Sequence, residues 1–201
     1  MKLHCISDTH TRHREIELPG GDVLIHSGDI MSAPDPSQLS DFLVWLDEQA
    51  YTTKIFIAGN HDHLFEKEPE LAEKIIKMFP SVIYLQDSEV AIDGIKFYGA
   101  PWIPTNRSGK AFSYMRDEYD IAKSHWEKIP TDTDVLITHG PAYNKLDRIM
   151  KPIRKDQTEL NLGCPILGER IKEINPRLHL CGHIHSSQGI LDISEPTTTS
   201  I

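Results

Sequence analysis

Asp8 with His10, Asp29, Asn60 with His61 and Asp62, His139, and His183 with His185 are the residues of this sequence whose types and spacing could do chemistry. Each set follows directly on a short apolar run: Leu3–Ser7, Asp22–His26, Lys54–Ala58, Asp134–Thr138 and Arg177–Cys181. Gly28, Gly59 and Gly182 stand immediately before Asp29, Asn60 and His183, where backbone must pass close to crowded side chains. Asp8, Asp29, Asn60, His10, His139, His183 and His185 make a hard-to-borderline donor set without a thiolate. That set suits Mn²⁺, Fe, Zn²⁺ or Co²⁺ better than Ca²⁺ or an iron–sulfur cluster. It exceeds what one tetrahedral zinc takes and suits two divalent ions sharing a carboxylate, each with a position open to water or substrate. An isolated Asp-x-His or Gly-Asp means almost nothing, and a lone buried histidine is more often a hydrogen-bonded core residue. Here the bland explanation needs a coincidence at every one of the strand-like runs. His4, His125 and His179 fall within strands or a helix and read as structural. His26 and His63 flank the set and could support it from behind.

The runs that carry these residues are rich in Ile, Val, Leu and Phe and bounded by polar residues or glycine, as buried strands are. Between them lie helical stripes: Leu39, Phe42, Leu43, Leu46 and Ala50; Leu71, Ile75, Met78 and Phe79; Tyr119, Ala122, Trp126 and Ile129; Leu167, Ile171 and Ile174. Pro69 and Pro165 suit first-turn positions, and Pro80, Pro130 and Pro176 suit stops. Asp93-Gly94 between Val90–Ile92 and Ile95–Tyr98 predicts a type I′ hairpin. The carboxyl ends of strands in open α/β sheets form the ligand crevice, so these ends can converge on one place. The pattern predicts an α/β chain of parallel units with one antiparallel pair. With no Pro/Gly/Ser-rich linker in 201 residues, one domain over 1–201 is expected.

A net charge of −9 argues against a sequence-tolerant grip on duplex nucleic acid. No run approaches the ~20 apolar residues of a membrane span, and the first residues carry no signal-peptide pattern. Cys5, Cys164 and Cys181 are an odd, widely spaced trio, which points to a reducing cytoplasm.

Taken together, Asp8-x-His10, Gly28–Asp29, Gly59–Asn60–His61–Asp62, His139 and Gly182–His183–Ile184–His185 resemble the calcineurin-like metallophosphoesterases. The longer strings Ile6–His10, Asp93–Gly99, Asp134–Pro141 and Gly163–Pro165 are similar to the metallophosphoesterase-domain-containing branch, of mammalian brain type with microbial relatives. The resemblance implies an αββα sandwich of two mixed sheets flanked by helices, with a dimetal site at strand carboxyl ends. It implies that Asp8, His10 and His185 hold the first metal, that Asn60, His139 and His183 hold the second, and that Asp29 bridges. It also implies that His61 is the general acid and that Asp62 orients it. The mammalian members carry glycine in place of His183, so a fuller site is implied here. Two departures stand out. Gly28–Asp29–Ile30–Met31 lacks the arginine that follows this Gly-Asp in protein phosphatases and dinucleoside polyphosphate hydrolases. Beyond His185 only one candidate strand, Gly189–Ile193, and the polar Thr197–Ser200 remain, so the last sheet is expected to be short or completed by a partner, with a homodimer as one solution.

The expected reaction is phosphoester hydrolysis: a water activated between two divalent ions, Mn²⁺ favoured, attacks phosphorus while His61 protonates the leaving alkoxide. Small diesters such as cyclic nucleotides are the expected substrates. Trp102, Asn106, Arg107 and Tyr143 are candidate base or sugar contacts, and the basic segment Lys145–Lys155 is a candidate phosphate-attracting flap or simply a solvated face. The alternatives are a nuclease acting on nucleic-acid diesters and a non-catalytic metal-binding scaffold for a protein partner.

Overall fold

In the computed structural model, which describes residues 1–152, 157, 158 and 160–190, all of the apolar runs are strands. In chain order the elements are β1 (Leu3–Ile6), β2 (Gly21–Ser27), α1 (Pro36–Asp47), β3 (Tyr51–Ile57), α2 (Leu64–Lys67), α3 (Pro69–Ile76), β4 (Val82–Tyr84), β5 (Ser88–Ile92), β6 (Ile95–Ala100), β7 (Ile103–Thr105), β8 (Ser113–Met115), α4 (Tyr119–Trp126), β9 (Val135–Thr138), α5 (Pro165–Ile174) and β10 (Leu178–Leu180). One sheet runs β1-β2-β3-β4 and is parallel throughout. The second runs β10-β9-β6-β5, with β10, β9 and β6 parallel and β5 antiparallel on β6. The β5–β6 turn places Asp93 (φ 51°) and Gly94 (φ 78°) in the left-handed region that a type I′ turn requires.

The two-residue period of the strands sorts the side chains into layers. Val23 and Ile25 of β2 and Ile55 and Ile57 of β3 pack with Phe97, Val135 and Ile137 of the second sheet, forming a layer between the sheets. Leu24 and Phe56 point the other way, onto Leu39, Phe42, Leu43 and Leu46 of α1 and Ala72 and Ile75 of α3. Tyr98 and Leu136 face Ala122 and Trp126 of α4 and Leu167 and Ile174 of α5. The result is the αββα sandwich.

Helix ends follow local chemistry. The Asp35 carboxylate accepts from Ser37 N–H at 2.9 Å to cap α1, with Pro36 in its first turn. Cys164 Sγ takes the Leu167 N–H at 3.3 Å ahead of Pro165, and α5 closes on Asn175 (φ 46°) just before Pro176. Some elements differ from expectation. α1 ends before Ala50, and α3 ends before Met78 and Phe79. β4, β7, β8 and α2 were not expected; three or four residues are too few to display a period. Gly189 and Ile190 form no strand, Ile190 being 97% exposed, and the remainder of that expected strand and Thr197–Ser200 lie outside the described residues. Among the described residues β1 and β10 are each paired on one side only, and no helix is long and apolar enough to cross a membrane.

Candidate metal centre

The turns after β1, β2, β3, β9 and β10 are laced to one another beyond the strand ends. Asp8 N–H donates to Gly28 O (2.9 Å), His10 N–H to Asp29 O (3.1 Å) and Gly182 N–H to His139 O (2.9 Å). These bonds hold Asp8, His10, Asp29 and His183 at φ values of 55°, 43°, 57° and 71°, a left-handed conformation uncommon outside glycine. The glycines are sterically required. A Cβ at Gly59 would collide with Asp29 and His139, and one at Gly182 with Asp8 and Ser7.

Two clusters of ligand atoms result: Asp8, His10 and His185 in one, Asp29, His139 and His183 in the other, each with its atoms within 4.8 Å of one another. Asp29 lies between them. Its Oδ2 is 3.7 Å from His10 Nε2 and its Oδ1 is 3.4 Å from His139 Nε2. Asn60 Oδ1 reaches to 3.2 Å from the same His139 nitrogen. His10 Nδ1 donates to Met31 O (3.2 Å) and His139 Nδ1 to Ser27 O (2.9 Å), so both rings aim Nε2 inward. On the far side of Asp8, His183 N–H (2.9 Å) and His185 Nε2 (3.2 Å) are bound to its carboxylate. This convergent set of carboxylate, carboxamide and imidazole donors fits borderline divalent ions.

The electrostatics of the site follow from its burial and its close charges. Burial opposes charge on His139, but Asp29, its hydrogen bond and Asp8 outweigh that and raise its pKa to about 9. Asp29 is held far below the ordinary carboxylate range: burial works upward, and the charge and hydrogen bond of His139 and the His61 N–H prevail. His183 is pushed down to about 3, by burial first and then by His139, so its lone pair is free.

Beside the clusters opens a cavity of about 360 Å³ lined by His10, Asp29, Asn60, His61, His183 and His185 on one side. Ile103, Pro104, Thr105, Asn106, Arg107, Lys110, Arg116, Gln157 and Leu162 line the rest. His61 follows Asn60; its N–H donates to Asp29 Oδ1 (2.8 Å) and its Nε2 lies 2.9 Å from Lys110 Nζ. Burial, with Lys110 and the His10 and His139 rings, lowers its pKa against the pull of Asp29.

Asp62 departs from its expected role at the His61 ring. Its buried carboxylate accepts Met31 N–H (2.8 Å), Gly59 N–H (2.7 Å) and Ile30 N–H (3.3 Å), tying the β2 and β3 turns together. Burial and the nearby Asp29 raise its pKa to about 7, opposed by those N–H groups. Asn106 and Arg107 line the cavity; Trp102 and Tyr143 do not. The Trp102 indole N–H donates to Asp87 Oδ1 (2.8 Å) and one face stacks on His125 at 3.6 Å, so the ring is engaged away from the cavity. Lys145, Arg148 and Lys151 of the basic segment are not in the lining, and Arg154 and Lys155 lie outside the described residues. Sequence reasoning missed Lys110 and Arg116, whose only signal was a polar, glycine-containing stretch from Asn106 onward. His26, which the sequence places beside the set, has Nε2 3.0 Å from Oγ1 of Thr9, the residue between Asp8 and His10.

Comparison with known proteins agrees with this geometry. The family described as calcineurin-like phosphoesterase matches residues 1–187. The human metallophosphoesterase domain-containing protein 1 is 37% identical over 218 residues, covering 98% of this chain and 64% of its own length. A UPF0046 protein of Caenorhabditis elegans is 30% identical over 98% of this chain and 68% of its own. The crystal structure of TT1561 of Thermus thermophilus shares the fold, with a TM-score of 0.61 at 17% identity over 89% of this chain and 80% of that one. The chain therefore belongs to the calcineurin-like phosphoesterase family.

Proposed function

We propose that the site is a phosphodiesterase centre that hydrolyses small diesters, cyclic nucleotides among them, with two divalent ions. The observation that carries this reading is Asp29, whose two oxygens face two separate imidazole-bearing clusters at the mouth of one cavity. Asp8, His10 and His185 would hold one ion, and Asn60, His139 and His183 the other, with Asp29 shared. When bound, such ions supply Lewis acidity at the phosphoryl oxygens and acidify a water toward neutrality. Manganese is the ion proposed; iron, zinc and cobalt suit the same donors.

The rest is work for the chain. His61, held by its N–H on Asp29, turns its ring into the cavity, where it protonates the departing alkoxide. Asp62 fixes the turn that carries it. Asn106 and Arg107 meet the ester substituent. Where an arginine clamp would follow Asp29, Ile30 and Met31 are fully buried, so no cation there balances the second charge of a monoester. That favours diesters, which carry one charge. The setting proposed is the cytoplasm, supported by unpaired Cys5, Cys164 and Cys181. The one-sided β1 and β10 edges support a homodimer.

The test is a metal-stripped protein reloaded with each ion and assayed on nitrophenyl phosphate, bis(nitrophenyl) phosphate, 2′,3′- and 3′,5′-cyclic nucleotides and a single-stranded oligonucleotide. Mn²⁺ should restore diester hydrolysis above monoester hydrolysis. Faster monoester turnover refutes the specificity, and faster oligonucleotide cleavage makes the protein a nuclease. Inactivity with every ion leaves a metal-binding scaffold.

A further inference from the structure

Lys110 lies on the cavity wall opposite the ligand clusters, between β7 and β8. Its ammonium is half-buried, and among the described residues it has no carboxylate within ion-pair distance. Among the described residues its one side-chain partner is His61 Nε2, at 2.9 Å. The anions nearby are engaged: Glu66 accepts the Phe112 N–H (2.8 Å), and Asp29 faces His139 and the His61 N–H. Arg116, on the same wall, is turned to backbone, donating to Gly163 O (3.0 Å) and Leu162 O. The Lys110 backbone is pinned. Ala111 N–H donates to Asn60 O (3.1 Å) and Ser113 Oγ to Lys110 O (2.8 Å), so the side chain starts from a fixed point against the turn that carries Asn60 and His61. A partly desolvated ammonium held, among the described residues, only by an imidazole lone pair is a cation suited to an anion that arrives from outside.

We propose that Lys110 is a substrate-binding residue whose ammonium takes a phosphoryl oxygen next to the departing ester oxygen. The identity of that anion rests on the phosphodiesterase reading above. The contact has a consequence for His61. Its Nε2 cannot accept from Lys110 and present a proton to a leaving oxygen at once. A phosphoryl oxygen that draws Nζ away frees that nitrogen to take up a proton from solvent, which it can then pass to the leaving oxygen.

The experiment measures binding of inorganic phosphate to the Mn²⁺-loaded protein by calorimetry, with metal content and melting temperature recorded alongside. Lys110→Met should weaken phosphate binding about 10–100-fold, the worth of a hydrogen bond to a charged group. Lys110→Arg should recover most of that loss. Lys74→Met, which removes an exposed charge from α3, should leave binding unchanged. Equal phosphate affinity in Lys110→Met and wild type overturns the proposal, as does a wild type that binds no phosphate. Loss of metal in Lys110→Met also overturns it, because the role would then be structural. If Lys110→Met loses phosphate while wild type hydrolyses no ester, the anion site stands and the phosphodiesterase reading falls.

Discussion

The two walls of the cavity are built on different principles. One consists of turns at the ends of β1, β2, β3 and β10, backed by the turn after β9, laced by backbone hydrogen bonds and continuous with two packed sheets. The other is the stretch from Ile103 to Arg116, carried by a pair of three-residue strands and stapled to the first wall through Ala111 on Asn60 and to α2 through Phe112 on Glu66. The first wall offers lone pairs and carboxylates at fixed positions. The second offers apolar Ile103 and Pro104 with Arg107 and Lys110. The lesson is a division of labour: changes on the first wall should affect every ester alike, while changes on the second should depend on what the ester carries.

The largest effect tests the first half of that statement. Asp29→Ala removes the carboxylate shared by both clusters and leaves buried His139 without its counter-charge. Both ions and all hydrolysis should be lost, beyond the roughly 10–100-fold typical of losing a mere supporting partner. Metal content and turnover on a nitrophenyl diester and a nucleoside diester check this. Survival of one activity without the other would break the division.

His61→Ala should fall between the walls. The backbone N–H on Asp29 survives the substitution, so both ions should stay. A nucleoside alkoxide, a poor leaving group, should lose about 10²–10⁴ in turnover, and a nitrophenolate much less. Equal losses on the two substrates would assign the proton to another group.

A third effect separates the two clusters of the first wall. Asp29 and His139 are buried, whereas the His185 side chain is 62% exposed. The raised pKa of His139, about 9, means the ion-free ring carries a proton at neutral pH. Nδ1 is committed to Ser27 O, so the proton to be lost sits on Nε2, which an ion must occupy. Uptake at the buried cluster should release about one proton near pH 7. Affinity there should rise up to about tenfold per pH unit until about pH 9 and then level off. Calorimetric titrations in buffers of different ionisation enthalpy read the proton count. Full metal uptake without proton release would mean that His139 is neutral before the ion arrives.

How far each wall was legible in the sequence follows from how local its determinants are. The ligand residues follow their strands at short, fixed offsets, and the continuous apolar runs Val23–Ile25 and Ile55–Ile57 are a local signal. Asp93-Gly94, Pro165 and Pro176 mark their turns and caps by chemistry alone. The role of Asp62 in orienting His61 came from the family resemblance; its carboxylate is bound to backbone N–H groups of the β2 and β3 turns, which no local sequence signal announces. Lys110 is a lysine in an aperiodic polar loop. It meets His61 only because β7 and β8 pair in parallel, a non-local event that three-residue strands do not advertise.

Trp102 gives the smallest effect and marks where the second wall ends. An aromatic residue near Arg107 suggests a stacking platform, yet this indole is engaged away from the cavity. Its N–H donates to Asp87 (2.8 Å), its face lies 3.6 Å from the His125 ring at an interplanar angle of 19°, and its edge meets Phe112 at 5.6 Å. Trp102→Phe keeps an aromatic face for His125 but removes the donor. Asp87 retains the Lys128 ammonium at 2.8 Å, so its charge is not stranded. The expected loss is therefore one partly exposed hydrogen bond, about 1 kcal/mol, or a melting temperature lower by about 2–4 °C. Turnover and KM on both diesters should match wild type, because the indole lines no part of the cavity. A raised KM confined to the nucleoside diester, at unchanged melting temperature, would place the indole against the substrate and move the boundary of the second wall back to residue 102.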